Sequence, residues 1–345
     1  MNYYAERTLQ ALFTVWATLT FTFVLTRYMP GGPLDFIRAQ MALGNLGPGS
    51  GGGNSGSVDM NQFATLAQQY VNIDPTAPTH VQYYNYMTRL LTGDLGQSIW
   101  YGEPVADVLF PAIPWTVFLG SIAVTVSFTT RVVIGALLAY IEGSKLDLGG
   151  TTALIWGHSV PFYIIAILLV YVFGYQYSWF PIAGRVDPNT VPGFNLSFVQ
   201  GVLWHATLPV IALVWVSFGQ GALAMRANSI QVLGEDYLRA ARLRGIKTDR
   251  IALLYVARNA ILPMYTQMLI QIGFVFAGSV YLESIFQYPG VGFYLFKGIQ
   301  ARDYPLMMGG FILITITVVI AMYFADLTYS FLDPRIKQGE KSEAY

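Results

Sequence analysis

The chain has 345 residues, of which 54% are hydrophobic and 11% are charged, and its 19 basic and 19 acidic side chains balance. With a mean hydropathy of +0.48, this composition is typical of polytopic membrane proteins and excludes an ordinary soluble domain. The zero net charge gives no support for nucleic-acid binding, the absence of cysteine excludes disulfides, and three histidines without ligand spacing argue against a metal centre.

Six apolar segments are long enough to cross a membrane as helices. A hydrocarbon core of about 30 Å requires about 20 apolar helical residues. The sequence therefore predicts an all-α polytopic membrane protein with six transmembrane helices, at residues 8–29, 113–141, 151–177, 199–225, 259–282 and 307–332. The first segment is too long for a cleaved signal peptide and is expected to be a retained anchor, so that residues 1–29 form an N-terminal transmembrane helix.

The segment 30–112 between the first two spans is too long for a simple connector. Its stretch 43–57 is rich in Gly, Ser and Asn and is predicted to be flexible. Helical patterning over Met60–Val71 and Thr79–Leu91 predicts a small helical cap on the external side. Residues 113–335 would then form the membrane core, followed by a short cytoplasmic tail at 336–345.

Polar residues and prolines within the spans are candidates for a path through the membrane. Gln267, Gln271 and Phe274 follow one helical stripe, and polar groups facing lipid are costly. The predicted path consists of Ser121, Thr125, Ser159, Pro161, Gln220, Gln267, Gln271, Phe274 and Glu283. Ordinary hydrogen bonding between packed helices explains such residues equally well.

Three positions in or near the spans each have more than one interpretation. Pro161 interrupts the third span and marks either a gate or a fixed bend. Arg131 lies within the second span and either snorkels or pairs internally. Glu283 follows the fifth span and belongs to an outer gate, to the external cap or to a structural pair.

The loop 226–258 concentrates positive charge in an otherwise apolar chain. It contains Arg226, Arg239, Arg242, Arg244, Lys247, Arg250 and Arg258. Because cytoplasmic loops carry excess Lys and Arg, this loop predicts that both termini are cytoplasmic. Carboxylates of Glu235 and Asp236 suit a helix start, and Gly245 permits the positive φ that ends a helix.

Within this loop, Tyr237, Leu238 and Ala241 are predicted to form a patch that enters a socket on a partner, ringed by arginines. A basic loop that only sets the topology is the alternative.

A series of different short motifs is spread over almost the whole chain. They are Tyr28–Pro33, Ile73–Pro75, Gly93–Ser98, Ser159–Phe162, Thr207–Pro209, Asp236–Gly245, Ala257–Pro263, Glu283–Phe286, Tyr288–Gly292, Arg302–Pro305 and Asp333–Arg335. Together they resemble the membrane-spanning permease subunit of the peptide (dipeptide/oligopeptide/nickel) class of ABC importers, the member with the long first external loop. Two features depart from the pattern: Arg239 precedes Ala240 and Ala241 where importers in general carry Glu, and the glycine-rich insertion is unusually long.

The resemblance implies a type I ABC importer permease fold in the cytoplasmic (inner) membrane of a prokaryote, with no catalytic residues and no bound metal. It implies that ATP and Mg are held by two partner ATP-binding subunits, beside a second homologous permease and an external substrate-binding protein. It also assigns ATPase coupling to Glu235, Asp236, Tyr237, Leu238, Arg239, Ala240, Ala241, Arg242, Arg244 and Gly245. Di- and oligopeptides are the expected cargo, with oligosaccharides or nickel as alternatives.

Two other functional classes fit the sequence poorly. An ion-coupled secondary transporter requires buried ionisable residues and repeated broken helices, whereas only Arg131 is clearly intramembrane. An intramembrane enzyme requires a Ser/His or Asp/Asp pair at matching depth in two spans, and none is found. No Gly-Lys dipeptide occurs, so the chain has no P-loop of its own.

Overall fold

The structure is a computed structural model that describes residues 3–43, 60–188, 190–233, 235–246, 250 and 257–332. Most of the glycine-rich segment 43–57 and the tail 336–345 lie outside these residues. In some helical stretches, chiefly 270–279 and 329–332, the description covers the backbone and not every side chain.

The described chain is mostly helical, with turns, a longer non-helical stretch at 177–188 and 190–195, and one isolated bridge between Gln97 and Pro104. The helices are α1 Tyr3–Tyr28, α2 Pro33–Ala42, α3 Met60–Val71, α4 Thr79–Leu91, α5 Val105–Leu109, α6 Ile113–Tyr140, α7 Lys145–Ser159, α8 Phe162–Leu169, α9 Leu196–Leu233, α10 Asp236–Leu243, α11 Ala257–Ile285, α12 Val291–Ala301 and α13 Tyr304–Leu332. Helices α3 and α4 have the bounds that the sequence predicts for the cap.

Four stretches of the described structure are long and apolar enough to cross a membrane: Tyr4–Ala42, Val105–Tyr140, Leu196–Trp215 and Tyr304–Thr328. A fifth crossing results if the bent pair α7 and α8, with its continuation to Gln176, counts as one span. The chain is thus an all-helical polytopic membrane protein. Helix α11 occupies the position of the predicted fifth span, although part of its side chains lie outside the description.

The predicted continuous span 151–177 needs correction. Helices α7 and α8 meet at an angle of 92° around Val160 and Pro161. Val160 has an extended backbone, with φ −87° and ψ 122°, because the proline ring disfavours helical geometry in the residue before it. Pro161 then caps α8, which continues as a π-helix over Val170–Gln176. Because of this break, α7 and α8 run in different directions. The sequence indicated an interruption at Pro161 and left open whether it is a gate or a fixed bend.

One compact unit comprises Thr8–Thr116 and Pro289–Val319 and contains the cap. Its first cluster of buried side chains joins Phe23 of α1 to α2, α3 and α4 through Ile37, Phe63 and Tyr86. Gly96 closes the turn after α4 with φ +83°, and a Cβ there would lie 2.1 Å from the carbonyl oxygen of Tyr70. Only glycine fits this turn against α3.

Asp303 connects two of the sequence motifs inside this unit. Its carboxylate accepts hydrogen bonds from the Ser98 hydroxyl at 2.5 Å and the Trp100 N–H at 2.9 Å. The other oxygen accepts the Leu306 N–H at 3.1 Å, so the same side chain caps α13. Asp303 is 1% exposed, and its burial is stabilised by these three donors.

The other unit comprises Met1–Arg7, Val117–Tyr288 and Ile320–Tyr345. Its central element is the 38-residue helix α9, which packs against α7, α8 and α11. Small residues bring these helices close together, since a Cβ on Gly219 would lie 2.8 Å from the Leu154 carbonyl oxygen. Helix α9 therefore connects three neighbouring helices.

Candidate functional site

The charged loop after α9 forms the short helix α10. Glu235 N–H donates to the Val232 carbonyl at 3.1 Å, and Leu238 N–H donates to the Glu235 carbonyl at 3.1 Å. Asp236 begins the helix, where a carboxylate complements the partial positive charge of the helix start. Arg226 is still part of α9, which ends at Leu233. The first residues of the predicted loop 226–258 therefore belong to that helix.

Gly245 ends α10 in the way that the sequence predicts. Its φ is +70°, and the Ile246 N–H donates back to the Ala241 carbonyl at 3.2 Å. This is the Schellman arrangement, in which a left-handed residue after the helix closes the last turn. The same turn brings Ile246 onto the buried side of α10, where it packs against Leu238 and Ala241.

The face that α10 exposes differs from the predicted patch. Leu238 is 0% exposed and Ala241 is 5% exposed, because both pack against Val232 and Ile246 of the same chain. Tyr237 is the exposed member of the three, at 40%. Leu243 at the end of the helix is 84% exposed. The exposed face also carries Glu235, Asp236, Arg239, Ala240, Arg244 and Gly245, whereas the side chain of Arg242 lies outside the description.

An ion pair ties α9 to α7 near the loop. Arg226 donates from Nε and Nη2 to the two oxygens of Asp147, both at 2.7 Å. Gly143 N–H donates to the same carboxylate at 3.1 Å, while Asp147 N–H donates to the capping Ser144 hydroxyl at 3.1 Å. Bidentate geometry and low exposure, 7% for the Asp147 side chain, make this pair stronger than a surface salt bridge.

A polar seam joins α6 to α9 within the span. The hydroxyls of Ser127 and Ser217 are 2.5 Å apart, and Arg131 Nε donates to the Ser127 carbonyl at 3.2 Å. Arg131 is 1% exposed and does not snorkel. A Cβ on Gly221 would lie 1.8 Å from Arg131 Cδ, so the arginine is accommodated by the missing side chain on α9.

The residues predicted for a path have different environments. Ser121, Thr125, Ser159, Pro161, Gln220 and Gln267 are exposed in the isolated chain. Hydroxyls of Thr125 and Ser159 donate to carbonyls one turn earlier, at 2.8 and 2.9 Å. The side chains of Gln271 and Phe274 lie outside the description.

Glu283 differs from these residues because it is 0% exposed. Burial raises the pKa of the neighbouring Tyr288 phenol, and the Glu283 carboxylate acts in the same direction. Among the described residues, no group of three or more His, Asp or Glu side chains is placed to hold a metal ion.

Sequence reasoning missed Asp147. The pattern Ser144-x-x-Asp147 is a visible N-cap signal, with a Ser three residues before an acid at a helix start. Nothing in the sequence connects it to Arg226, which lies 79 positions away.

Sequence comparisons with known proteins show the family of this chain. The model of the family described as "Binding-protein-dependent transport system inner membrane component" matches residues 131–338, more than half of the chain. The matched range includes Arg131, Asp147, Arg226 and α10, whereas Ser127 of the polar seam precedes it.

Three relatives match almost end to end or over most of their length. The di/tripeptide transport system permease protein DppB of Pseudomonas aeruginosa is 29% identical over 98% of this chain and 99% of its own. The dipeptide transport system permease protein DppB of Bacillus subtilis is 29% identical over 95% of each chain. The protein of the same name from Escherichia coli K12 is 30% identical, over 79% of this chain and 85% of its own.

Breaking the pair between Arg226 and Asp147 is expected to destabilise the protein. Asp147→Ala leaves a partly buried guanidinium without its carboxylate and should lower Tm by on the order of 5 °C. Tm is measured by intrinsic fluorescence of the purified chain in detergent.

The matched control is Asp326→Ala, which removes a looser pair with Arg7, at 3.5 Å and with side chains 40% and 26% exposed. Its Tm should be almost unchanged, and the exchange Asp147→Arg with Arg226→Asp should recover part of the loss. Equal shifts for Asp147→Ala and Asp326→Ala would show that the bidentate pair has no special role.

Proposed function

The chain belongs to the family of binding-protein-dependent transport system inner membrane components, and we propose that it is the permease subunit of an ATP-driven importer of di- and oligopeptides. The observation that carries this proposal is the match, over nearly the full length, to permeases named for di- and tripeptide transport. The chain is a transport subunit and not an enzyme, so ATP hydrolysis belongs to other subunits.

The proposed complex contains this chain, a second homologous permease, two ATP-binding subunits and an external substrate-binding protein. We place both termini and α10 on the cytoplasmic side, because the loop 226–258 concentrates basic residues. Six spans, arranged as in type I importers, satisfy this placement if α7 with α8 forms the third and α11 the fifth.

Helix α10 is proposed as the coupling helix that enters a groove of an ATP-binding subunit. Its exposed face combines an aromatic anchor, Tyr237, with the unusually exposed Leu243 and the arginines Arg239 and Arg244. Aromatic and arginine residues dominate the energetics of protein interfaces. Leu238 and Ala241 contribute indirectly, because they fix α10 to the end of α9.

Two contacts are proposed to transmit motion from α10 into the membrane. The packing of Leu238 and Ala241 on Val232 makes α10 follow the end of α9. The pair between Arg226 and Asp147 makes α7 follow α9. When ATP binding draws the ATP-binding subunits together, α9 moves with its neighbours, and the path alternates its access between the two sides of the membrane.

The exposed polar residues of the spans are proposed to line this path together with those of the second permease. Hydroxyl and amide groups such as Thr125, Gln220 and Gln267 bind peptide backbones without selecting side chains. A path of this kind suits cargo that varies in sequence but always presents amide groups. Selectivity would then reside mainly in the external binding protein.

Reconstitution tests the cargo. The chain is co-expressed with the neighbouring permease and ATP-binding subunits, reconstituted in lipid, and assayed for ATPase activity with its binding protein. We expect stimulation by the binding protein loaded with di- or oligopeptides and none by the same protein offered oligosaccharides or nickel. Stimulation by an oligosaccharide alone would contradict peptide import, and the absence of any copurifying ATPase would contradict the importer itself.

Placing a charge at the exposed Leu243 of α10 is expected to uncouple transport. Leu243→Asp replaces an exposed leucine with a charge on the proposed docking face, so peptide uptake should fall about tenfold or more. Insertion and Tm should be unchanged, because the side chain is 84% exposed. Uptake is measured with labelled peptide in proteoliposomes.

Leu91→Asp is the matched control, because Leu91 also ends a short helix and is 77% exposed, but lies in the cap. Its uptake should remain normal. Gly245→Pro tests separately whether the turn that ends α10 is needed, since proline cannot adopt the φ of +70° at this position. Normal uptake in both Leu243→Asp and Gly245→Pro would refute docking through α10.

A further inference from the structure

A cleft of about 280 Å³ lies where α1 ends and the cap begins. Its walls include Arg27 in the last turn of α1, Arg38 on α2 and Phe63 on α3. The volume is many times that of a water molecule, which occupies about 30 Å³ in the liquid. The cleft therefore has room for a polar group larger than a single ion.

Aromatic rings hold both guanidinium groups in position. The Arg27 guanidinium carbon is 5.4 Å from the centre of the Tyr28 ring, and that of Arg38 is 4.9 Å from the centre of the Phe63 ring. A guanidinium stacked over a ring keeps its N–H edge free to bind an anion. Positioning of this kind reduces the entropy lost when an anion binds.

One donor of Arg27 lacks an acceptor. The Nε atom is shielded from solvent and makes no hydrogen bond within the described part of the chain. Because solvent does not reach this Nε, an anion in the cleft would be bound by the terminal Nη groups of Arg27.

The local charge favours an anion. Asp35 also lines the cleft, but its carboxylate accepts the Gly31 N–H at 2.9 Å, and the two arginines outnumber it. Phosphate matches the planar, forked donors of arginine and forms short charge-assisted hydrogen bonds with them.

The depth of the cleft indicates the source of the phosphate. From Thr8 to Arg27, α1 rises by about 29 Å at 1.5 Å per residue, which is close to the thickness of the hydrocarbon core. Arg27 therefore lies at the level of the lipid headgroups. A solute phosphate has no reason to prefer this depth, whereas a phospholipid has its phosphate there.

We infer that this cleft binds the phosphate of a phospholipid headgroup through Arg27 and Arg38. The lipid would anchor the segment after the first span to the membrane surface, because Arg38 belongs to α2 and Phe63 to the cap helix α3, while Arg27 belongs to the first span. The inference depends only on the chain crossing a membrane and is independent of the cargo.

Native mass spectrometry of the full chain, with the subunits that copurify with it, tests the inference. The protein is delipidated and titrated with phosphatidylglycerol, and separately with inorganic phosphate. We expect one high-affinity phosphatidylglycerol per chain, with an affinity that falls about tenfold or more in Arg27→Gln/Arg38→Gln. Lys297→Gln removes a positive charge elsewhere in the same unit and should bind as the unaltered chain does.

Arg38→Gln alone keeps the test decisive if the double variant is unstable, because Arg38 is exposed. It should weaken lipid binding while leaving Tm unchanged. Equal lipid binding by the unaltered chain and Arg38→Gln would overturn the inference. Saturation of the cleft by inorganic phosphate at a similar affinity would also overturn it, because the site would then take free phosphate.

Discussion

The burial of Leu238 and Ala241 against Val232 and Ile246 is the contact on which the proposed mechanical coupling depends. A helix of eight residues is not stable by itself in water, so α10 exists because its apolar side packs on the end of α9. That packing assigns the two sides of α10 different tasks. One side packs on the end of α9, and the other, with Tyr237 and Leu243, is exposed and is the proposed docking face.

The membrane imposes the second constraint, because polar groups in hydrocarbon have to find partners within the protein. The chain meets it in part with the Ser127–Ser217 contact and with the hydrogen bond from Arg131 Nε to the Ser127 carbonyl. Its stronger charge pair, between Arg226 and Asp147, lies at the start of α7, near the basic loop. Fixed contacts along α6, α7 and α9 suit helices that move together.

The sequence predicted those features that follow from local patterning. Apolar runs located the long helices, and periodicity located the cap helices Met60–Val71 and Thr79–Leu91. Gly245 was identified because few residue types adopt a positive φ. The 92° break was only partly foreseen, since Pro161 reveals an interruption but not its angle. Pairs such as Ser98 with Asp303 required the fold, because they join segments 205 positions apart.

Spin-label distances measure most directly whether α10 and α9 move as one body. The chain has no cysteine, so labels can be attached at Ala227 on α9 and Asp236 at the start of α10, both exposed, in a complex whose partners are also cysteine-free. Between the nucleotide-free and ATP-bound states, this distance should stay constant while the distance from Ala227 to the second permease changes. A change in the distance between Ala227 and Asp236 would show that α10 moves independently and would contradict the proposed coupling.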